Sequence, residues 1–356
     1  MSHPYQHAHR AEPAHPTLRA ELRDAIAPRT VALVVAVLLL QMGFVLSYVG
    51  AFHHPKPREV AVTVVGPTQQ VADQTAAALN GINGRPLDVT ASTDVDAARA
   101  DLTNDDTSAV LVIDPTSKQD QLLVTSAGGA ATATAVQAVL TQAEATQGRT
   151  LAVQDVLPAG AGDARGLSGF YLVTGWVVGG YLLAALLGVA RGARPANLRR
   201  AVIRLGAVLP YAVASGIGGA LIVGPLLGAL PHDAGTFWGL AGTGMLVVMA
   251  SAAVTMAFQV LAGTIGIGLA VLLFVVLGNP SAGGAYPPPL LPPFWAWLSE
   301  VLPNGAAVDA VRRIAYFDGA SVGQRLLVVV AWAVVGAAVT LVAARWHQLR
   351  ARPTTS

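Results

Sequence analysis

Long runs of apolar residues lie on both sides of one polar stretch of the chain. A helix of roughly 20 apolar residues crosses about 30 Å of hydrocarbon. The runs predict six membrane spans, over residues 30–52, 167–190, 205–230, 237–257, 260–278 and 326–344. The fourth and fifth spans come from one uncharged run, which would make a helix of about 63 Å and is therefore divided near residues 259–263.

The polar stretch over residues 53–166 has a different pattern. Alternating segments such as EVAVTVV and SAVLVID predict strands, and segments such as TQQVADQTAAALNGI predict helices between them. This order is typical of a compact α/β domain. The expected fold is thus an α-helical six-span membrane bundle with an extracytoplasmic α/β domain inserted between spans one and two.

The loop over residues 279–325 is rich in proline and aromatic residues. Proline excludes one continuous helix, and the side chains of Phe294, Trp295 and Trp297 favour a membrane interface. These three residues could line a path for an amphipathic substrate or could only anchor the loop. Asn304 is predicted to cap a second short helix, GAAVDAVRRIAYF, in an interfacial hairpin.

The charge distribution predicts the orientation in the membrane. The N-terminal tail, the loop between spans two and three and the C-terminal tail carry twelve basic and three acidic residues, a net charge of +9. The remaining ten basic and 17 acidic residues give −7 on the other side. Basic residues concentrate on the cytoplasmic side, so we expect a multi-pass protein of the bacterial cytoplasmic membrane with both termini inside.

Two interpretations remain open near the N-terminus. The first apolar run could be a signal peptide cleaved near Ala51, although its length favours a membrane anchor. The tail over residues 1–29 holds His3, His7, His9 and His15, which could bind a metal or simply belong to a disordered tail. Residues 17–27 predict a short amphipathic helix, and residues 346–356 form the second cytoplasmic tail.

The composition of the sequence limits the kinds of chemistry that the protein can perform. The sequence is 53% hydrophobic and 12% charged, with no cysteine, and neither Lys56 nor Lys118 lies in a P-loop motif. We find no catalytic constellation and predict no enzyme activity, cofactor, metal or nucleic-acid partner. The aspartates of the polar stretch could bind a cation or form a solvated face; they are Asp94, Asp96, Asp101, Asp105 and Asp106.

The predicted spans contain glycines but no charged residue. Carriers driven by protons need ionisable groups at membrane depth, so any transport would be powered from outside the chain. Glycines at GxxxG spacing, such as Gly175 and Gly179, could pack helices within one bundle or form a homodimer seam.

This arrangement resembles the type-2 ABC exporter permeases, and more narrowly their phage-infection-protein-like and nitrosoguanidine-resistance-like branch. The segment LGNPSAGGAYPPPLLPPFWAWLSEVLPNGAAVDAVRRIAYFDGAS resembles the part of that branch before its final helix, and SAVLVIDP resembles the central strand of its soluble domain. The resemblance implies export of drug-like or lipid-like amphipathic molecules, with a separate P-loop ATPase as partner. It implies no catalytic residues.

The inner loop offers a place where such an ATPase could dock, formed by Leu198, Arg199, Arg200 and Arg204. A function of another class is also open. The chain could be an envelope scaffold or receptor that does not transport, whose outer domain binds a partner while the spans anchor it in the bilayer.

The charge distribution gives a testable topology. Because the chain has no native cysteine, a single introduced cysteine can be labelled without background. We expect Ser126→Cys to react with an impermeant thiol reagent in intact cells and Ser2→Cys to react only after permeabilisation. The reverse labelling pattern would show that the orientation is inverted.

Overall fold

The computed structural model of the protein describes residues 27–195 and 197–350. The histidine-rich tail, nearly all of the predicted helix 17–27 and residues 351–356 lie outside this part. The chain divides into two units between Val45 and Leu46. Helix α1, Pro28–Phe52, crosses that boundary and is apolar over a membrane-spanning length.

The α/β domain predicted from the polar stretch is present. Its elements are β1 Val60–Val65, α2 Gln69–Asn80, β2 Leu87–Ser92, α3 Val95–Thr103, β3 Ala109–Val112, β4 Gln119–Val124, α4 Ala130–Thr146 and β5 Thr150–Asp155. The strand order is β2-β1-β3-β4-β5, so the segment SAVLVID, which the sequence predicts to be a strand, supplies the central one. β3 and β4 are antiparallel because the connection 113–118 is too short for a crossover helix; the other pairs are parallel.

The domain has apolar cores on both faces of the sheet. Helices α2 and α4 cover one face, where Leu140 of α4 packs with Leu111 and Leu122 of the strands. Helix α3 covers the other face through Leu102, which packs with Leu123. The three layers therefore bury their apolar surface within residues 60–156.

A charged cluster is buried inside the domain. Arg149 donates to both carboxylate oxygens of Asp120, whose side chain is fully buried. Burial, together with a hydrogen bond to Asp120 and its charge, raises the pKa of Glu144 to about 7. Arg149, just before β5, therefore joins the end of α4 to β4 through its contacts with Glu144 and Asp120.

Four more helices long and apolar enough to cross a membrane follow the domain. They are α5 Ser168–Arg191, α6 Leu198–Leu221, α7 Ala234–Ala262 and, after the shorter helices described below, Val322–Arg350. A π-helical turn, Ile222–Leu226, extends α6. The span predicted to begin at residue 205 therefore begins as a helix at Leu198, so Arg199, Arg200 and Arg204 belong to the helix and not to the loop before it.

The long uncharged run divides as predicted. Helix α7 ends at Ala262, and Gly263 adopts a positive φ of 66°, which glycine allows at little cost. The next helix, α8, covers Ile265–Ser281 and contains a π-helical segment, Leu272–Leu277. At about 26 Å it is shorter than the other four helices of the bundle and than about 30 Å of hydrocarbon. Five long apolar helices are thus present in the described part, and α8 is a shorter sixth apolar helix.

The proline-rich loop forms α9 Pro293–Val301 and α10 Pro303–Tyr316, followed by the long last helix α11, Val322–Arg350. The predicted cap of the second short helix is wrong. Leu302 is the N-cap of α10, and Asn304 lies inside the helix with its side chain buried. The Asn304 amide donates to the Phe274 carbonyl oxygen of α8 at 3.1 Å and therefore fixes α10 against α8.

Helix α7 is the centre of the bundle. In its most apolar stretch 67% of residues are buried, compared with 44%, 28% and 22% in α5, α6 and α11. Glycines let these neighbours approach it closely, since a Cβ at Gly180, Gly216 or Gly336 would overlap α7 backbone atoms. These glycines therefore serve contacts between helices of one chain.

The separate cores predict that the α/β domain folds without the bundle. We expect residues 57–160, expressed alone, to unfold in one cooperative transition, since the strands and helices bury their apolar faces on each other. Thermal unfolding followed by circular dichroism tests this. A protease-sensitive chain without a transition would show that the domain depends on the bundle.

Candidate functional site

The predicted site residues lie at opposite ends of the bundle. The α/β domain, α9 and α10 occupy one end, which we call the domain end. The other end, which we call the arginine end, carries the chain between α5 and α6, where Arg194 donates to the carbonyl oxygens of Val260 and Leu261 near the end of α7. The structure therefore separates the aromatic residues from the arginines that the sequence singled out.

The three aromatic residues of α9 have different environments. Trp295 is only 9% exposed and packs with Ala51, Leu291 and Leu298. Phe294 and Trp297 are 54% and 56% exposed. Trp295 is thus part of the interior, whereas Phe294 and Trp297 form an apolar surface beside it.

Helix α10 is the connection between the domain and the bundle. Its apolar face, which includes Val308 and Val311, packs into the core around α7. The opposite face carries the charged residues Asp309, Arg312 and Arg313. It faces the α/β domain, and Arg313 is only 8% exposed.

An ion-pair cluster lies where the two parts meet. The Arg313 guanidinium is 2.9 Å from a carboxylate oxygen of Asp105 in the domain and 3.1 Å from one of Asp309 in its own helix. Arg325, at the start of α11, is 2.7 Å from the same Asp309 oxygen. Asp105 therefore does not belong to a solvated face; it is paired across the junction.

Burial raises the pKa of Asp105 to about 6, because the loss of hydration outweighs the attraction of Arg313. Asp105 also has a positive φ of 61°, which aspartate tolerates better than most residues. A carboxyl with a perturbed pKa in a cleft between domains marks a candidate functional group.

The cluster borders a polar cavity of about 300 Å³ between the domain and the loop after α8. Its walls include Thr132 from the domain and Pro287 and Glu300 from the proline-rich region. No cluster of acidic or histidine residues suited to a metal ion occurs in the described part of the chain. The cavity is therefore a polar space lined by charges of both signs.

A second contact ties the chain leaving the domain to α10. The Tyr316 hydroxyl donates to the buried carboxylate of Asp163 at 2.9 Å, and the other Asp163 oxygen accepts from the Ser168 N–H at 2.8 Å. Burial and the nearby carboxylate raise the pKa of Tyr316. This contact fixes the start of α5 to the end of α10.

An apolar groove of about 530 Å³ lies between α5 and α6 in the half nearer the domain. Leu172 and Trp176 of α5 line one side, and Val223 of the π turn lines the other. The Trp176 N–H donates to the Ser215 carbonyl oxygen at 3.0 Å, so its indole ring is fixed. Gly175 and Gly218 border the groove, and a Cβ at either position would meet open space.

The predicted docking residues occupy the first two turns of α6 at the arginine end. The Leu198 N–H donates to the Gln348 side chain at 3.2 Å, which joins α6 to α11. Arg204 donates to the Arg191 carbonyl oxygen at 2.8 Å, while Arg199 and Arg200 are exposed. Two of the four residues thus hold the end of the bundle together, and two are accessible to a partner.

Comparisons with models of known protein families, with curated proteins and with solved structures find no match to this chain.

The environments of the tryptophans give a stability prediction. Trp295→Ala should destabilise the protein by about 3–5 kcal/mol, because it leaves a cavity between α1 and α9. Trp297→Ala removes an exposed ring and should change stability by less than about 0.5 kcal/mol. Thermal unfolding of the purified protein in detergent compares the two variants, and equal losses of stability would contradict the assignment.

Proposed function

We propose that the chain is a permease-type membrane subunit that exports drug-like or lipid-like amphipathic molecules and is energised by a separate ATPase. The observation that supports this most directly is the apolar groove between α5 and α6. We further propose that the protein lies in a bacterial cytoplasmic membrane with both termini and the arginine end inside.

The groove has the size and composition of a ligand site. Pockets for small molecules range from about 300 to 1,000 Å³ and are lined mostly by apolar side chains with a few polar groups. The groove's polar groups include Ser168 and Tyr171 near its domain end. Tyr171 and Leu227 are strongly exposed, so the groove opens sideways from the bundle. An amphipathic molecule could enter it from the hydrocarbon with its polar part towards the domain end.

The helix on one side of the groove is irregular. The π turn Ile222–Leu226 includes Pro225, and Pro210 lies inside α6 itself. π-helical turns are frequent at functional sites, and prolines weaken helices locally. A helix with these features could change the width of the groove more readily than regular α5.

The energy source in this proposal is external to the chain. The groove has no ionisable group apart from the Tyr171 phenol, and the longest apolar stretches of α5 to α8 contain no charged residue that could relay a proton. Arg199 and Arg200 are exposed at the arginine end and would meet an acidic surface of the ATPase. A homodimer also remains a prediction.

A second candidate function has one observation in its favour. Strand β5 is at the edge of the sheet, and most of its residues are exposed. Exposed edge strands can pair with an extended segment of another protein. The receptor or scaffold function would use this edge and would not need the groove.

Filling the groove separates the two functions. Gly175→Leu and Gly218→Leu place a large side chain in open space and also improve helix propensity, so the variants should fold. We expect efflux of rhodamine 6G or a fluorescent phospholipid, per folded molecule, to fall at least about tenfold. This corresponds to a loss of about 1.4 kcal/mol of interaction between the transported molecule and the groove. The measurement uses membrane vesicles supplied with any ATPase that co-purifies.

The matched control is Gly206→Leu. Gly206 lies on α6, as Gly218 does. A Cβ at Gly206 would also meet open space, but this residue does not line the groove. It should leave efflux unchanged. Equal efflux from the filled and control variants would rule out the groove as the transport path, and absence of efflux from the unmodified protein would favour the receptor or scaffold function.

A further inference from the structure

The domain and α10 meet through a small number of specific contacts. One is the ion pair between Asp105, in the turn before β3, and Arg313 of α10. Another is apolar: Ala127, in the loop after β4, faces Val308 and Ala315 of α10 across a space of only about 10 Å³. Ala127 is 2% exposed, so the junction is closed at this point.

The charges on α10 do not require the domain. If Asp105 moved away, Arg313 would keep Asp309 at 3.1 Å and would still donate to the Ala320 carbonyl oxygen at 3.2 Å. Breaking a buried ion pair is strongly unfavourable when it leaves one charge without a partner. Here the arginine retains partners and the aspartate would regain water, so the contact can open without stranding a charge.

We propose that the junction at Asp105 and Arg313 is a releasable latch between the α/β domain and the membrane bundle, and that the closed junction as a whole, though not the ion pair itself, becomes more stable when Asp105 takes up a proton. This inference does not depend on the proposed transport function. It concerns how firmly the domain sits on α10 as the pH on its side of the membrane changes.

The direction of the pH dependence follows from the cost of burying a charge. Closing the junction removes the Asp105 carboxyl from water, which disfavours its charged form more than Arg313 and its neighbours favour it. The pKa in the closed state is about 6, above the ordinary 3.8. The closed state is therefore stabilised fully below about pH 4 and loses this stabilisation as the pH rises through 6.

Other charged groups surround Asp105 on every side of the junction. Arg313, Arg312 and Arg325 favour its charged form, and Asp309 disfavours it. The remaining acidic groups on the cavity wall are Asp106 of the same turn, Glu59 before β1 and Glu300 of α9. Glu59 is paired with Arg85 at 3.2 Å on an exposed surface. A test must therefore distinguish Asp105 from these neighbours.

The latch connects to the bundle through α10. The same helix packs on α7 through its apolar face and holds the start of α5 through Tyr316 and Asp163. Opening at Asp105 would expose the apolar contact at Ala127, while Arg58 could keep its hydrogen bonds to the Pro289 and Leu291 carbonyl oxygens.

The test measures opening of the junction in the full chain, reconstituted in lipid nanodiscs. Ala127→Cys places one thiol at the closed contact, in a protein without other cysteines. The labelling ratio is the rate at which Ala127→Cys reacts with a maleimide divided by the rate for Ala77→Cys, which is exposed on α2. This division is needed because thiol reactivity itself varies with pH. Thr132→Cys is a second reporter, since the Thr132 hydroxyl is buried and has no hydrogen-bond partner among the described residues.

The expected result is a labelling ratio about tenfold lower at pH 5 than at pH 7, as a pKa rise from 3.8 to about 6 requires. Asp105→Asn mimics the protonated side chain and suits the positive φ, so the ratio should stay low at both pH values. Asp106→Asn is the matched control and should keep the full pH dependence.

Two results would overturn the latch. One is a labelling ratio that does not change with pH, or that changes equally in Asp105→Asn. The other is parallel labelling of Ala76→Cys, which is buried in the core of the domain, because this would show unfolding of the domain in place of opening at the junction.

Discussion

The structure depends on how closely three helices approach α7. A helix with no charged side chain gains little from the hydrophobic effect inside a bilayer, so association relies on van der Waals contact and short approach. Glycines on α5, α6 and α11 provide that approach. Two polar groups of α7 are satisfied within the helix, since Ser251 and Thr255 donate to carbonyl oxygens one turn earlier, whereas the buried Gln259 amide nitrogen has no hydrogen-bond partner among the described residues.

The apolar groove follows from the same constraint. Gly180 and Gly216 bring α5 and α6 onto α7, while Gly175 and Gly218 face away from it. No helix of the described part packs against this face of α5 and α6, and the glycines there have no side chains to fill it. A space therefore remains between the two helices. Trp176 closes the bottom of this space, because its ring fills the position where Gly219 and Gly244 leave room.

Periodicity predicted the elements well and their contacts poorly. The alternation of EVAVTVV and SAVLVID was sufficient to place strands β1 and β3, and the length of the uncharged run, too great for one crossing, was sufficient to divide it near residues 259–263. Span lengths were less accurate: Arg199, Arg200 and Arg204 belong to the helix that contains the third span, because arginine has high helix propensity and its side chain can extend towards the interface. Asn304 suits an N-cap locally, but a buried backbone carbonyl of α8 binds its side chain.

The site was harder to predict because it depends on contacts distant in sequence. The charges of α10 have the spacing of an interfacial helix, and nothing local shows that a domain covers them. Asp105 lies in an acidic segment that predicts solvation, yet its partner is 208 positions away in the sequence. Phe294, Trp295 and Trp297 were grouped by residue type, whereas the helix turns Trp295 inwards and the other two outwards. The roles of these charged and aromatic residues follow only from their contacts in the folded structure.

The two buried carboxyl clusters of the domain show how similar chemistry can serve different purposes. Asp120, Glu144 and Arg149 all belong to the domain, so no motion between the domain and the bundle can return Asp120 to water. The raised pKa of Glu144 is therefore a property of the folded domain itself. Asp105 differs because its burial requires a second element, α10, which supplies Arg313. The cost of burying that charge therefore arises only when the α/β domain contacts α10. A change in the protonation of Asp105 consequently affects the association of the domain with the bundle and not the folding of either part.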